Sequence, residues 1–157
     1  MVFTLPHELN TLVLYNKKEL YSLLMQSVWE TIKTFGEDPK RLNGLMGMIA
    51  ILHTWGQNLL DHNHLHCIVP GCALVDGTKC QASKPDYLFP VKAMSVVFRG
   101  IFVSGLRDLY NKDKLKIPED PNLKISLRVR ENFDTLLSNL MKKSWVVYSK
   151  HPFAGPK

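Results

Sequence analysis

The sequence predicts an α+β fold in which helices cover a central antiparallel sheet. Three observations lead there. Two long segments, 17–35 and 90–109, repeat apolar residues at three- and four-residue steps, the stripe of an amphipathic helix. A histidine-bearing stretch at 61–69 instead alternates polar and apolar side chains, the period of a strand. Short β-prone segments stand near both ends, so the order reads β, α, β, β, short hairpin, α, α, β, and such an order packs helices on an antiparallel sheet.

Met1–Leu5 is apolar and β-prone and is stopped by Pro6, giving a first strand with no leader before it. From Lys17 to Phe35, Leu20, Leu23, Leu24, Val28, Ile32 and Phe35 form one helical stripe, with Asn16 available as N-cap and Gly36 as the stop before Asp38-Pro39. Leu45–Trp55 is almost continuously apolar. Its flanking glycines, Gly44 and Gly56, and the β-branched Ile49 and Ile51 favour a central strand. Gln57–Asn63 is a polar connection, and Asp76-Gly77 between short arms is a hairpin signal.

Pro90–Leu109 is the second long helix, through Val91, Met94, Val97, Phe98, Ile101, Phe102 and Leu106. Its other face carries Lys92, Arg99 and Arg107, which read first as a solvated face and second as a phosphate track. Ile117–Asn122, with Pro118 and Pro121, is a loop. Val129, Phe133, Leu136, Leu137, Leu140 and Met141 mark a further helix ending in Lys142-Lys143, where positive charge suits the helix dipole. Trp145–Tyr148 is a last strand, and His151–Lys157 is a Pro/Gly tail.

The length of 157 residues fits a single domain over 1–157 with a substantial core. The net charge of +6 is a mild bias towards polyanions. No run approaches the ~18 apolar residues of a membrane span, and the N-terminus lacks a signal pattern, so the expectation is a cytoplasmic protein with no membrane partner. Three cysteines, Cys67, Cys72 and Cys80, argue against a disulfide framework. Together with nearby histidines they raise a structural zinc site, which the absence of a CxxC pair and the opposite-facing position of Cys67 disfavour.

The centre of interest is Asp61–Gly71, where His62, His64 and His66, three of the six histidines, fall within five residues. On a strand His64 and His66 share one face and Leu65, Cys67 and Val69 the other. Imidazoles at alternate positions of a rigid strand suit a divalent metal; the same pattern is also met as the wet face of a sheet. If the Leu45 run pairs antiparallel with this strand, His53 faces His64 and His66 as a third ligand. His62 and Gln57 compete for that role, and ladder hydrogen bonds favour His53 over a loop residue.

His64-Leu65-His66 on an antiparallel strand resembles the HUH endonuclease superfamily. Phe3-Thr4-Leu5 matches its first-strand motif, and His53 lies eleven residues before His64, as the third ligand does in relaxases. FTLPHELN, AILHTWGQNL, DHNHLHCIVPG, LFPVKAMSVVFRG and WVVYSKHPFAGP are similar to the transposases of rolling-circle insertion sequences, the two-tyrosine branch. These blocks run from Phe3 to Pro156. The resemblance implies a ferredoxin/RRM-like palm that nicks single-stranded DNA at transposon ends. It implies Mg²⁺ or Mn²⁺ on the histidines and a tyrosine that forms a 5′-phosphotyrosine link. For such a domain Lys92, Arg99, Arg107, Lys142 and Lys143 are the candidate DNA contacts, and a bacterial-type, nucleoid-associated location is expected.

The departures from the family matter too. The tyrosine-bearing helix is expected just after the PFAGP segment, where the chain stops, and a cysteine-rich zinc segment is expected before Phe3. The expectation is therefore a truncated transposase, inactive for covalent cleavage, or a non-catalytic DNA-binding remnant that joins full-length transposase as an oligomer. Of Tyr15, Tyr21, Tyr87, Tyr110 and Tyr148, none lies in the expected helix, and Tyr148 reads as sheet or core. Asn63 stands where the family has proline, and Cys72 where it has a second glycine.

Overall fold

A computed structural model describes residues 1–55, 61–83, 88–117 and 126–150. The elements are β1 (Val2–Thr4), α1 (Asn10–Tyr15), α2 (Lys17–Glu37), β2 (Ile49–Trp55), β3 (Asp61–Ile68), β4 (Cys72–Val75), β5 (Lys79–Ala82), α3 (Val91–Asn111), α4 (Arg130–Lys142) and β6 (Val147–Tyr148). The α+β class is as expected. The main sheet has the order β2-β3-β1-β6 with every pair antiparallel. Setting aside the β4–β5 hairpin, this is the split βαβ arrangement of ferredoxin-like folds.

Alternation along the strands decides which face is core. Phe3, Leu65 and Cys67 point to one side and are buried, at 0%, 0% and 4% exposure. On that side lie the stripes of α2 (Leu20, Leu24, Val28, Ile32) and α3 (Met94, Phe98, Phe102, Leu106), all fully buried. The Phe3 ring meets Phe98 edge-on at 5.2 Å. The core is thus a helical layer beneath one sheet face, and among the described elements no helix packs on the other face.

Several elements differ from their sequence reading. The Leu45 run is not a central strand. The ladder begins at Ile49, and β2 is an edge of the sheet, with Ile49 and Ile51 more than half exposed on the open face. Leu45 is drawn instead into a two-hydrogen-bond bridge with Leu74 of the hairpin. Gly36 does not stop α2, which runs on to Glu37; it lies inside the helix where an added Cβ would fall 2.1 Å from Met46 Cγ, so it serves close packing. Asn16 precedes α2 but does not cap it with its side chain. Its amide donates to Leu12 O and Lys116 O (both 2.8 Å), and its Oδ1 accepts from Lys116 N (2.6 Å), which ties α1 to the segment after α3.

The hairpin signal is met: Asp76 and Gly77 both take positive φ (51° and 70°), the primed-turn geometry that joins β4 to β5. Against the expectation from cysteine count, Cys72 and Cys80 form a disulfide across this hairpin, with Cα atoms 6.0 Å apart. Their diagonal positions in the ladder bring them together, a proximity that a count cannot reveal. Of Trp145–Tyr148 only Val147 and Tyr148 join the sheet. Trp145 is buried against Phe98 and Phe102 and donates its indole N–H to Leu140 O (3.0 Å). The loop expected at Ile117–Asn122, beyond Ile117, and the tail from His151 lie outside the described residues.

Candidate metal centre

β3 lies between β2 and β1, so its side chains are fixed by ladders on both sides. His53 is directly opposite His64, and Ile51 and Val2 flank His66. Opposed residues of an antiparallel pair point to the same side, so His53, His64 and His66 rise together from the open face. One nitrogen from each lies within 4.8 Å of the others. The ring centroids are 5.3 Å (His53–His64), 4.4 Å (His53–His66) and 4.9 Å (His64–His66) apart.

Hydrogen bonding selects the tautomer at the centre of the group. His64 Nδ1 lies 2.7 Å from the His62 carbonyl oxygen, which can only accept, so Nδ1 carries the proton and donates. The lone pair of His64 is then on Nε2, which faces His66 Nε2 at 3.0 Å. Two nitrogens this close share either a proton or a cation. Anchoring one ring nitrogen on a carbonyl while the other faces a cluster is the usual support for a metal-binding histidine.

The electrostatics favour a neutral ring at His66. The pKa of His66 is lowered, first by desolvation and then by the positive fields of His53 and His64. His64 is nearly buried at 9% exposure, while His66 is open to solvent. His53, His64 and His66 would hold an ion from one side and would leave its remaining coordination positions to other ligands.

The other candidates fall elsewhere. His62 is not one of the three grouped ligands, although its ring is 5.1 Å from that of His64; what it gives the group is its carbonyl. Gln57 lies outside the described residues. The cysteine site is overturned: Cys67 is buried on the core side, its thiol pushed up to about 11 by burial, and Cys72 and Cys80 are bonded to each other. Among the described residues the three histidines are the cluster suited to a metal.

The proposed DNA contacts sit on the helical layer, across the sheet from the histidines. Arg99 donates to Lys143 O (2.6 Å), closing the end of α4, and Lys143 is ion-paired with Glu8. Lys92, Arg107 and Lys142 are exposed. Two features escaped the sequence reading: the His62 carbonyl, and the placement of Tyr148 on the histidine face. The second was legible in the alternation of Trp145-Val146-Val147-Tyr148, buried at Trp145 and exposed at Tyr148.

Residues 47–157 match a family model, Y2_Tnp, described as "Putative transposase". The whole chain is 42% identical over 158 aligned residues to "Putative transposase y4qJ" of Sinorhizobium fredii. The chain spans 39% of the length of that curated relative. No solved structure matches significantly. The chain therefore belongs to the Y2_Tnp family, the HUH-type transposases of rolling-circle insertion sequences.

Proposed function

We propose that residues 1–157 form the metal-dependent, single-stranded DNA nicking and strand-transfer unit of a rolling-circle transposase, with His53, His64 and His66 as ligands of a divalent ion. The observation that carries this reading is the convergence of three imidazole nitrogens within 4.8 Å on an open sheet face. The donor set fits a divalent ion and, being all nitrogen, suits Mn²⁺ better than the harder Mg²⁺. When bound, such an ion supplies Lewis-acid polarisation of a phosphodiester oxygen.

The chain's own residues prepare that role. The His62 carbonyl holds the His64 proton on Nδ1 and leaves Nε2 available. Ladders on both sides of β3 keep the rings from turning away, and the uncovered face admits a strand of DNA. In the reaction a tyrosine oxygen would bond to phosphorus as the P–O3′ bond breaks, and the proton lost by the phenol would end on the departing O3′, which is released as a 3′ hydroxyl.

The described tyrosines do not fill the nucleophile's place beside the triad. Tyr21 donates to Asn63 on the reverse side, Tyr110 stacks on Phe133, Tyr15 is on α1, and Tyr148 is two strands from His66. Tyr87 lies outside the described residues. Among the described residues no tyrosine therefore takes the nucleophile's role, which supports residues 1–157 as the metal- and DNA-binding part of the nicking unit, with the nucleophile supplied from elsewhere. A full-length transposase in an oligomer would then supply the tyrosine, with the nucleoid as the cellular setting; Lys92, Arg107 and Lys142, on the helical layer, would act only through the long-range positive field of the chain.

The test is Mn²⁺ titration followed by electron paramagnetic resonance, on the wild type and on His64→Ala and His66→Ala. One tight ion is expected in the wild type and loss of tight binding in both variants. Undiminished binding in the variants would refute the assignment. Labelled single-stranded DNA with Mn²⁺ should give no covalent adduct with this chain, and an adduct would overturn the reading that it does not cleave alone.

A further inference from the structure

One residue on the histidine face has no part in the reading above. The register across the sheet places Ile51, His66, Val2 and Tyr148 in one row, each directly opposite the next. Opposed residues point to one side, and Val147, one position earlier, pairs with the core-facing Phe3, so Tyr148 belongs to the open face. It is 57% exposed, although the row's other edge is also apolar, with Ile49, Ile51 and Ile68 at 64%, 54% and 64%. A scattered exposed aromatic needs no explanation; an aromatic at the end of an apolar row that runs through the proposed metal centre does.

The spacing suits one kind of occupant. Adjacent strands are about 4.8 Å apart, which puts the Tyr148 backbone about 10 Å from that of His66. The small side chain of Val2 lies between them. Side chains stand roughly perpendicular to a sheet, so the tyrosine ring rises beside the triad and not over it. Its hydroxyl is then poorly placed for in-line attack on a phosphate there. Its face is well placed for the base attached to a neighbouring nucleotide. Bases of a single strand are unpaired and free to stack on aromatic rings, whereas those of a duplex are not. The chain's net charge of +6 complements a polyanion.

We infer that Tyr148 is a stacking platform for an unpaired base of single-stranded DNA, adjoining the nucleotide whose phosphate is held at His53, His64 and His66. The inference rests on the proposed DNA-binding role of that centre. It separates the two parts of the substrate: the histidines take the phosphate and Tyr148 takes a base without reading its identity.

The experiment compares the full chain with Tyr148→Ala and Tyr148→Phe in Mn²⁺, binding fluorescent oligothymidine and an abasic strand of the same length. The abasic strand has the same phosphates and no bases. Tyr148→Ala should bind oligothymidine roughly 5- to 150-fold more weakly. Tyr148→Phe, which keeps the ring, should bind as the wild type does, and the abasic strand should not distinguish the three proteins. Equal binding of oligothymidine by wild type and Tyr148→Ala would overturn the inference. So would an equal loss on the abasic strand, as expected if this face instead docks another protein segment. If the wild type binds oligothymidine and His64→Ala does not, while Tyr148→Ala is neutral, the stacking role alone fails. If the wild type binds neither strand, the DNA reading and the stacking role fail together.

Discussion

The parity of β3 carries every conclusion about the histidines, and Leu65→Ala tests it. Leu65 lies between His64 and His66, is fully buried, and is opposed by Phe3 on one side and Leu52 on the other. Truncation removes the transfer free energy of the lost carbons and leaves a cavity. Such changes cost about 2.7–5.0 kcal/mol, depending on how far the surroundings collapse. Collapse is restricted here because β3 is laddered on both edges, so we expect about 3–5 kcal/mol. At about 2–4 °C per kcal/mol for a chain of this size, the thermal midpoint should fall by roughly 6–20 °C. Ile51→Ala is the control: it sits on the opposite face at 54% exposure and should cost below about 1 kcal/mol. Urea denaturation followed by circular dichroism reads both, and Mn²⁺ affinity of the folded Leu65→Ala protein should be unchanged. A cost below about 1.5 kcal/mol for Leu65→Ala, or a larger cost for Ile51→Ala, would mean that the faces are reversed and that the histidines do not share an open surface.

Other expectations follow from single contacts. Asn16→Ala leaves the buried Leu12 carbonyl and the part-buried backbone N–H and carbonyl of Lys116 without their hydrogen bonds and should destabilise by about 1–3 kcal/mol, measured in the same titration. Cys67, buried and with its thiol raised to about 11, should react with a thiol reagent at neutral pH only as the protein unfolds; rapid labelling of the native chain would contradict its placement. The lowered pKa of His66 means that the unfolded chain binds its proton more readily than the folded one. Its contribution is therefore fully present above pH 6.5 and is lost as pH falls from there through the lower folded value, and Mn²⁺ should be released over the same acid range. NMR titration of the His66 ring checks the direction, and a midpoint above 6.5 would refute it.

Much of the site was written locally. A period of two puts His64 and His66 on one face whatever else the chain does, and the eleven-residue interval to His53 survived as a directly opposed pair in the ladder. The long stripes of α2 and α3 were equally plain, because burying one helix face requires that spacing. The Leu45 run misled for a physical reason. An apolar strand that faces the core on one side and carries exposed isoleucines on the other looks like one buried on both. Asn16 misled because its partner, Lys116, is a hundred residues away.

The sequence by itself determined the three longer helices and the strands in their order, though not the short α1, together with the shared face of His64 and His66 and the family resemblance, since each rests on neighbours along the chain. Only the tertiary structure decided that β2 is an edge, that Cys72 meets Cys80, that the helices lie beneath the Phe3–Leu65 face, and that Tyr148 stands in line with His66. Those facts depend on strand order and register. Long-range pairing sets both, and sequence periodicity carries no information about which strand lies beside which.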